Sequence, residues 1–406
     1  MEHVLGWLIF FIIFAIILLS TKKNSHVRNF LLIAFLLRSI FVYLDNYLLA
    51  LPDSQFDAKT FELTARDFSK KYELLVFFDL FKQDSLLISR IISIFYTLFG
   101  ENKIIAQSIS VTLGTVSVYL VYYLCLLLWG QNSAQKAAWV AVIFPTLVLY
   151  SSQTFREPYV VFFLLLALIG VAKFIIYKNF FSFIQAMASF YIITLFHAAA
   201  AIGGLVFLIY VVFNSIKKQL INLNRFKVNI FSLLFLVILF IPIILFLTNN
   251  LGFPYLGTFA NLTNLDNLKF VSNVGTVDSA AYPSWLLLNN NYEIFLKIIF
   301  KIFYFLYSPF FWDINQFHHI LGFFDGMLYL GLTIYVLRNL RSIWENPITR
   351  FFLLLLIVYL IIHAVGVGNF GTAIRHRSKF VIFFIILAAP KLHKFIFSAK
   401  KKLYTK

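Results

Sequence analysis

Two aspartates stand close together in the segment that follows the second apolar run of the chain. Asp53 and Asp57 lie about one helical turn apart, and the apolar residues of the segment 51–68 fall near one helical stripe. We expect an amphipathic helix on the membrane surface, with Asp53 at its start. A carboxylate at the boundary of water and lipid can deprotonate an incoming hydroxyl, so Asp53 and Asp57 are the candidate catalytic residues. The structural alternative makes Asp53 or Ser54 the N-cap of that helix.

Charged residues recur at the end of a later apolar run, where Arg156 and Glu157 precede Pro158. Proline suits the first turn of a helix, so the pair stands at a tight turn between two helices. We predict that both side chains bind substrate. The alternative is an ion pair that only closes the turn.

A third group of charged residues follows a glycine-rich stretch near the C-terminus and comprises Arg375, His376 and Arg377. Arginine binds phosphate oxygens through two parallel hydrogen bonds, which suits this group to a phosphate-bearing substrate. We therefore predict that these three residues bind substrate. Anchoring of the chain to lipid headgroups is the alternative.

Metal binding has one candidate ligand in this pattern. Asp57 could hold a divalent cation such as Mg²⁺ or Mn²⁺, and we regard no cofactor as certain. The histidines suggest no site, because His318 and His319 are adjacent and point apart on a helix, while His197 and His363 stand alone in apolar surroundings. We therefore predict no histidine metal cluster. The single cysteine, Cys125, excludes a disulfide framework.

The helices that position these residues must lie in a lipid bilayer. Of the 406 residues, 61% are hydrophobic and 13% charged, and the mean hydropathy is +0.87. Apolar runs long enough for a helix to cross a bilayer recur from end to end. We predict an all-α, polytopic transmembrane bundle of about eleven spans, within a range of ten to thirteen. The candidate spans lie near residues 4–20, 29–50, 104–128, 137–154, 158–177, 180–196, 198–213, 229–248, 320–337, 351–367 and 379–396.

Two charges fall inside the second of these spans. Arg38 and Asp45 are seven residues apart, which places them on one face of a helix. Charges inside a span are usually functional or paired. We expect them to pair with each other or with a neighbouring span.

The net charge of +17 comes from short basic clusters between the spans, which excludes a nucleic-acid interface and fits the positive-inside pattern. Clusters around residues 22–28, 217–227 and 338–350 and the basic tail 391–406 are therefore predicted to be cytoplasmic. Residues 1–406 form one membrane domain on this map. A first outer loop spans 51–103 and contains interfacial helices, and a second spans 249–319. Within the second loop, residues 293–312 form an interfacial or re-entrant segment, because a full crossing would reverse the side of Arg338.

Three passages of the chain resemble the GT-C superfamily of integral membrane glycosyltransferases, in particular the branch of protein mannosyltransferases and aminoarabinose transferases. The segment 52–57 is similar to the first outer-loop motif of that family, residues 98–157 to its third-to-fifth-helix region, and residues 371–377 to an Arg-x-Arg segment of bacterial members. The resemblance implies a GT-C-like fold and a donor sugar linked to polyprenyl phosphate. It further implies inverting transfer to a glycan, lipid or protein acceptor on the outer face of the bacterial cytoplasmic membrane.

Two other functions stay open at this point. A polymerase of surface-polysaccharide repeat units also needs outer-face arginines, in that case to hold a lipid diphosphate. A transporter or flippase of lipid-linked glycans is a different class, but such proteins tend to show paired repeats with helices broken at corresponding positions. Pro145, Pro242 and the pair Gly203–Gly204 have no matching partner of that kind in the sequence.

Overall fold

The computed structural model describes residues 2–72, 86–223, 280–288, 290 and 292–393. Within these residues the chain is helical and contains no strand, and one isolated bridge joins Ala281 to Asn369. The helices of the described residues are α1 (Glu2–Ser20), α2 (Ser25–Tyr47), α3 (Asp57–Tyr72), α4 (Leu87–Phe99), α5 (Lys103–Trp129), α6 (Gln131–Ile143), α7 (Pro145–Ser151), α8 (Glu157–Tyr177), α9 (Phe180–Phe196), α10 (Ala201–Leu223), α11 (Glu293–Tyr307), α12 (Phe317–Arg338), α13 (Leu340–Glu345), α14 (Pro347–Val365), α15 (Phe370–Arg377) and α16 (Val381–Ala388).

Six of these helices are long and apolar enough to cross a membrane, which makes the chain an integral membrane protein. They are α2, α5, α8, α12, α14 and the helix that covers Ala198–Lys217. Helices α6 and α7 would form a seventh span if they act together, although they meet at an angle of 58°. Three further predicted spans correspond to shorter apolar helices, Val4–Ser20, Phe180–Phe196 and Val381–Lys391. The predicted span 229–248 lies outside the described residues, and the total of eleven stays a prediction.

Small residues allow the helices of the bundle to approach closely. Apolar side chains are solvated equally well by lipid tails and by other helices, so the hydrophobic effect does not drive helices together in a membrane. They associate instead through close packing at Gly, Ala and Ser. Helix α8 packs against α9 where Gly170 faces Ala186, and a Cβ atom at Gly170 would lie 2.7 Å from the backbone nitrogen of Ala186. Helix α5 contacts α1, α2, α6 and α8 and is therefore central to the first half of the bundle.

Hydrogen bonds and ion pairs near the helix termini identify the two ends of the described bundle. At one end, Trp7 of α1 donates to Tyr47 of α2 across 3.1 Å, and Arg66 of α3 pairs with Glu101 just before α5. At the other end, the Lys136 ammonium of α6 donates to the carbonyl oxygen of Leu392 across 2.7 Å. The described residues of the predicted first outer loop therefore lie at one end, together with the start of α1. Which side of the membrane that end faces stays a prediction.

Helix α11 occupies the segment for which we predicted an interfacial or re-entrant course. Its fifteen residues extend about 22 Å, less than the roughly 30 Å of a hydrocarbon core. Its last residue, Tyr307, packs tightly on α12, where a Cβ atom at Gly326 would lie 2.3 Å from the Tyr307 carbonyl oxygen. The Tyr307 hydroxyl also donates to Thr333 across 3.0 Å. Its course relative to the membrane stays a prediction.

Candidate active site

Arg375 joins three separate parts of the chain at one end of the bundle. Its Nε donates to Glu157 Oε1 across 2.9 Å, and its Nη1 bonds to Asp57 Oδ2. The guanidinium carbon lies 4.7 Å from the centre of the Phe155 ring, which is fully buried. Nη2 is buried and has no hydrogen-bond partner among the described residues. Three predicted site residues therefore meet here, and one nitrogen of the arginine has no hydrogen bond to any described residue.

The elements around this contact are fixed by local backbone interactions. Asn369 caps α15 by accepting a hydrogen bond from the Thr372 amide across 2.7 Å, while the Phe370 amide donates to the carbonyl oxygen of Ala280 across 2.9 Å. Glu157 is the first residue of α8, and Pro158 follows it in the first turn. A carboxylate there is stabilised by the helix dipole as well as by Arg375. Helix start and arginine together hold this buried acid in place.

Glu157 also holds a second cation and retains one unused oxygen. The Lys379 ammonium lies 3.5 Å from Glu157 Oε1, and both side chains are almost fully buried. Glu157 Oε2 has no hydrogen-bond partner in the described part of the chain. The carboxylate therefore organises two cations and contributes to the charge balance of the site.

Asp53 lies on an exposed turn ahead of α3 and adopts a left-handed backbone conformation with φ of 65°. Helix α3 begins at Asp57, four residues later, so Asp53 is not its N-cap. Ser54 is no cap either, since its buried Oγ makes no hydrogen bond to any described residue. The N-cap alternative for this pair is therefore wrong. Asp53 interacts electrostatically with Tyr150 of α7, which places it close to the contact made by Arg375.

The predicted amphipathic helix is present as α3, and its buried stripe comprises Ala58, Phe61 and Ala65. Phe56, which we expected on that stripe, precedes the helix and is 73% exposed. The Arg156 guanidinium carbon lies 5.4 Å from the centre of the Phe61 ring, and its Nε is buried without a partner among the described residues. Burial lowers the pKa of Arg156, Glu157 raises it and the charge of Arg375 lowers it. Two arginines thus share one region, each stacked on a phenylalanine.

Glu62 is a site residue that the sequence reasoning missed. Its Oε1 accepts a hydrogen bond from Thr154 Oγ1 across 2.6 Å. Burial raises its pKa to about 7, against smaller lowering contributions from Thr154 and Lys103. The signal in the sequence was an acid beside the buried stripe of α3, four residues after Ala58. A carboxyl group with a pKa near neutrality can exchange protons at physiological pH.

Arg377, in contrast to Arg375, is committed to contacts inside the protein. It is fully buried, and its Nε and Nη2 pair with Asp325 Oδ2 at 3.0 and 2.8 Å. Nη1 donates to the carbonyl oxygens of Leu306 and Ser308 across 2.9 and 2.6 Å. All three nitrogens thus have protein partners, which gives Arg377 a structural role that ties α15 to α11 and α12.

His376 lies beside two histidines from distant parts of the chain. Nitrogen atoms of His197, His363 and His376, one from each ring, lie within 4.8 Å of one another. The expectation that His197 and His363 stand alone is therefore wrong. Lys379 Nζ lies 2.8 Å from His376 Nδ1. Burial and then the charge of Lys379 hold the pKa of His376 well below its usual range, so that its imidazole is neutral.

A cavity of about 390 Å³, a volume that includes open space at its mouth, lies beneath Glu157. Its wall includes Arg38, Gly114, Ser117, Tyr150, Glu157 and Ser378. Arg38 Nε donates to Ser151 Oγ across 2.7 Å, and a Cβ atom at Gly114 would lie 2.8 Å from that same nitrogen. Glycine therefore makes room for a buried arginine in the wall of a largely apolar cavity.

Asp45 does not take part in this cavity wall. It accepts hydrogen bonds from Lys103 and Gln107 of α5 at 2.7 and 2.8 Å. The prediction that the charges of the second span pair with neighbouring spans is thus confirmed for Asp45, and Arg38 bonds to a neighbouring helix through Ser151. The two charges make no ion pair with each other.

Comparison of the chain with protein-family models, with curated proteins and with solved structures finds no match. The resemblance to membrane glycosyltransferases therefore rests on the three sequence passages alone.

Proposed function

We propose that this protein is a GT-C-type membrane glycosyltransferase that moves a sugar from a polyprenyl-phosphate-linked donor to an acceptor at the outer face of the membrane. The observation that carries the proposal is Arg375, which Asp57, Glu157 and Phe155 hold in place while its buried Nη2 has no partner among the described residues. An arginine that is fixed in advance with a free nitrogen can bind a phosphate oxygen without further ordering.

Asp53 is the proposed general base. Its exposed position on a left-handed turn supports this role, since strained backbone tends to occur at functional sites. In an inverting transfer, the Asp53 carboxylate takes the proton of the acceptor hydroxyl, whose oxygen bonds to the anomeric carbon. The bond from that carbon to the phosphate oxygen breaks, and the polyprenyl phosphate leaves with the electron pair. Arg375 and Arg156 offset the negative charge that develops on the leaving phosphate.

Asp57 and Glu62 have supporting roles in this proposal. The ion pair with Arg375 occupies one oxygen of Asp57, which favours orientation of the arginine over binding of Mg²⁺ or Mn²⁺. Glu62, with its raised pKa, is a second group that can accept a proton near neutral pH. The wall of the cavity beside Glu157 is largely apolar, which suits contact with a lipid-linked molecule.

The proposed location follows from the basic clusters and the resemblance. We place the protein in a bacterial cytoplasmic membrane with its C-terminus in the cytoplasm and the Arg375 contact on the outer face. A role in the synthesis of a cell-envelope polysaccharide suits that location. A repeat-unit polymerase is the second candidate, because two arginines next to each other also suit a lipid diphosphate.

The test of Asp53 is a transfer assay in native membranes with a panel of radiolabelled sugars linked to polyprenyl phosphate. Asp53→Asn keeps the shape of the side chain and removes the base, so transfer should fall by about 10²-fold or more while expression persists. Asp67→Asn, at an exposed aspartate of the helix α3 that follows Asp53, is the matched control and should retain full transfer. Transfer near the wild-type rate by Asp53→Asn would assign the base elsewhere, first to Glu62.

A further inference from the structure

Three histidines converge from elements that the sequence separates widely. His197 follows α9, His363 lies in the last turn of α14, and His376 belongs to α15. The ring centres lie 5.2 to 5.7 Å apart. No local sequence pattern forces this arrangement, because the three histidines belong to three separate parts of the chain.

The hydrogen bonds of His363 prepare it to bind a metal ion. Its Nδ1 lies 3.0 Å from the carbonyl oxygen of Tyr359. A carbonyl oxygen only accepts hydrogen bonds, so Nδ1 carries the hydrogen and Nε2 presents its lone pair. A histidine that donates its other N–H to a backbone carbonyl is the usual arrangement around protein metal ions, since it fixes the ring and strengthens the ligand.

His197 adds a ring nitrogen that is buried and unused. Its Nδ1 has no hydrogen-bond partner among the described residues. A buried polar atom without a partner costs free energy unless a ligand, water or ion satisfies it. The ring of His197 lies beside the rings of both His363 and His376. Its unpaired Nδ1 is therefore close to both other histidines.

We propose that His197, His363 and His376 bind a Zn²⁺-class transition metal through one nitrogen each, with a fourth position open to water or to an anionic oxygen. Nitrogens that share a tetrahedral Zn²⁺ lie about 3.3 Å apart, given Zn–N bonds of about 2.0 to 2.1 Å. The present separations of up to 4.8 Å close to that value by small rotations of the rings. Imidazole ligands favour Zn²⁺, Ni²⁺ or Cu²⁺ over Mg²⁺ and Mn²⁺.

The neighbouring charges fit an open position that takes an anion. Lys379 Nζ lies 2.8 Å from His376 Nδ1 and 3.5 Å from Glu157 Oε1. In the proposed complex the metal bonds to His376 Nε2, the ring hydrogen is on Nδ1, and the ammonium pairs with Glu157. Arg375 also lies near His376. A divalent ion beside these cations is stabilised when an anionic oxygen fills its fourth position. The site therefore differs in its metal and in its ligands from a site at Asp57, and it does not depend on the proposed transfer reaction.

The test measures metal binding directly on the full chain, purified with an affinity tag that contains no histidine. After treatment with a chelator, the protein is dialysed against Zn²⁺ and its metal content is measured by inductively coupled plasma mass spectrometry. We expect about one Zn²⁺ per chain for the wild type and a loss of at least ten-fold in affinity for His363→Ala. His26→Ala, at an exposed histidine in the first turn of α2, is the matched control and should bind as the wild type does.

Substitution by Co²⁺ provides a readout that needs no variant. Tetrahedral coordination by imidazoles gives Co²⁺ intense visible absorption bands, which we expect for the wild type on titration with one equivalent. His197→Asn and His376→Gln replace His363→Ala if that variant aggregates during size-exclusion chromatography. A folded wild type that binds no stoichiometric Zn²⁺ and gives no tetrahedral Co²⁺ spectrum would overturn the proposal. So would folded variants of all three histidines that bind Zn²⁺ as tightly as the wild type.

Discussion

Arg375 Nε and Glu157 Oε1 lie 2.9 Å apart, although 218 positions separate the two residues in the chain. This contact links the helix after the glycine-rich stretch to the turn before α8. The link with Asp57 adds the amphipathic helix α3. Replacement of Arg375 should therefore change the local position of two other elements and, under the proposed function, weaken substrate binding.

Arg375→Ala should weaken binding of polyprenyl phosphate by about 1.5 to 3 kcal/mol, the range for hydrogen bonds to charged groups, or roughly 10- to 150-fold. Arg375→Lys keeps the charge without the planar fork and should lose less. Native mass spectrometry of the detergent-purified protein with polyprenyl monophosphate measures the affinity. Arg66→Ala removes an exposed arginine of α3 and should bind as tightly as the wild type. Equal affinity in folded Arg375→Ala would refute the phosphate assignment.

Arg377 should control stability instead of affinity. Arg377→Met leaves Asp325 buried without its partner, which costs about 3 to 5 kcal/mol. The double variant Arg377→Met with Asp325→Leu should recover a large part of that loss. Thermal unfolding in detergent measures both, with Arg341→Ala at an exposed ion pair as the control that shifts little. A single variant as stable as the wild type would contradict the structural role.

Glu62 should make stability fall as the pH rises. Its pKa in the folded protein is about 7 against an ordinary value of 4.5, so the folded state holds the proton more tightly than the unfolded chain. The free energy of unfolding therefore falls as the pH rises from about 4.5 to about 7, and it stays lower above pH 7. At about 1.4 kcal/mol per pKa unit, this shift corresponds to a loss of at most about 3.5 kcal/mol.

The variant Glu62→Gln should remove this part of the pH dependence and raise the melting temperature at pH 7.5. Differential scanning fluorimetry in detergent from pH 4.5 to 8 compares the two proteins. Asp67→Asn, also on α3, should keep the slope of the wild type. A wild-type slope in Glu62→Gln would show that this carboxyl group ionises normally in the folded protein.

The predicted topology has a test of its own. A reporter fused after Lys227, after Arg341 or at the C-terminus should report the cytoplasm, because these positions lie in basic clusters. A reporter inserted near Asn264 should report the outer side. An outer signal at Arg341 would reverse the map and mean that the segment 293–312 crosses the membrane.

The sequence predicted features that depend on local pattern. Hydropathy located the helices, since a span needs a run of apolar residues, and the apolar period of the segment 51–68 predicted α3. The map of spans and basic clusters predicted that Asp57 belongs to an outer loop, but it did not predict which residues Asp57 would contact. The structure brings Asp57 and Glu157 together at Arg375.

Long-range packing decided the features that the sequence could not predict. His197 and His363 each look isolated in an apolar run, and only the fold brings them beside His376. Arg377 has the same residue type as Arg375, two positions away, but it points to Asp325 in α12. The sequence motif contains both arginines but cannot predict which of them faces the site. The direction of each side chain depends on how α15 packs.

The lipid released during sugar transfer tests the central claim most directly. Native membranes that contain the wild-type protein are supplied with donor labelled in its polyprenyl chain, and the lipid products are separated by chromatography. The glycosyltransferase proposal predicts release of labelled polyprenyl monophosphate in step with sugar transfer, and loss of that product in Asp53→Asn and Arg375→Ala membranes. No release from this donor, together with release of polyprenyl diphosphate in a parallel sample supplied with a diphosphate-linked repeat unit, would contradict the proposal and identify a repeat-unit polymerase.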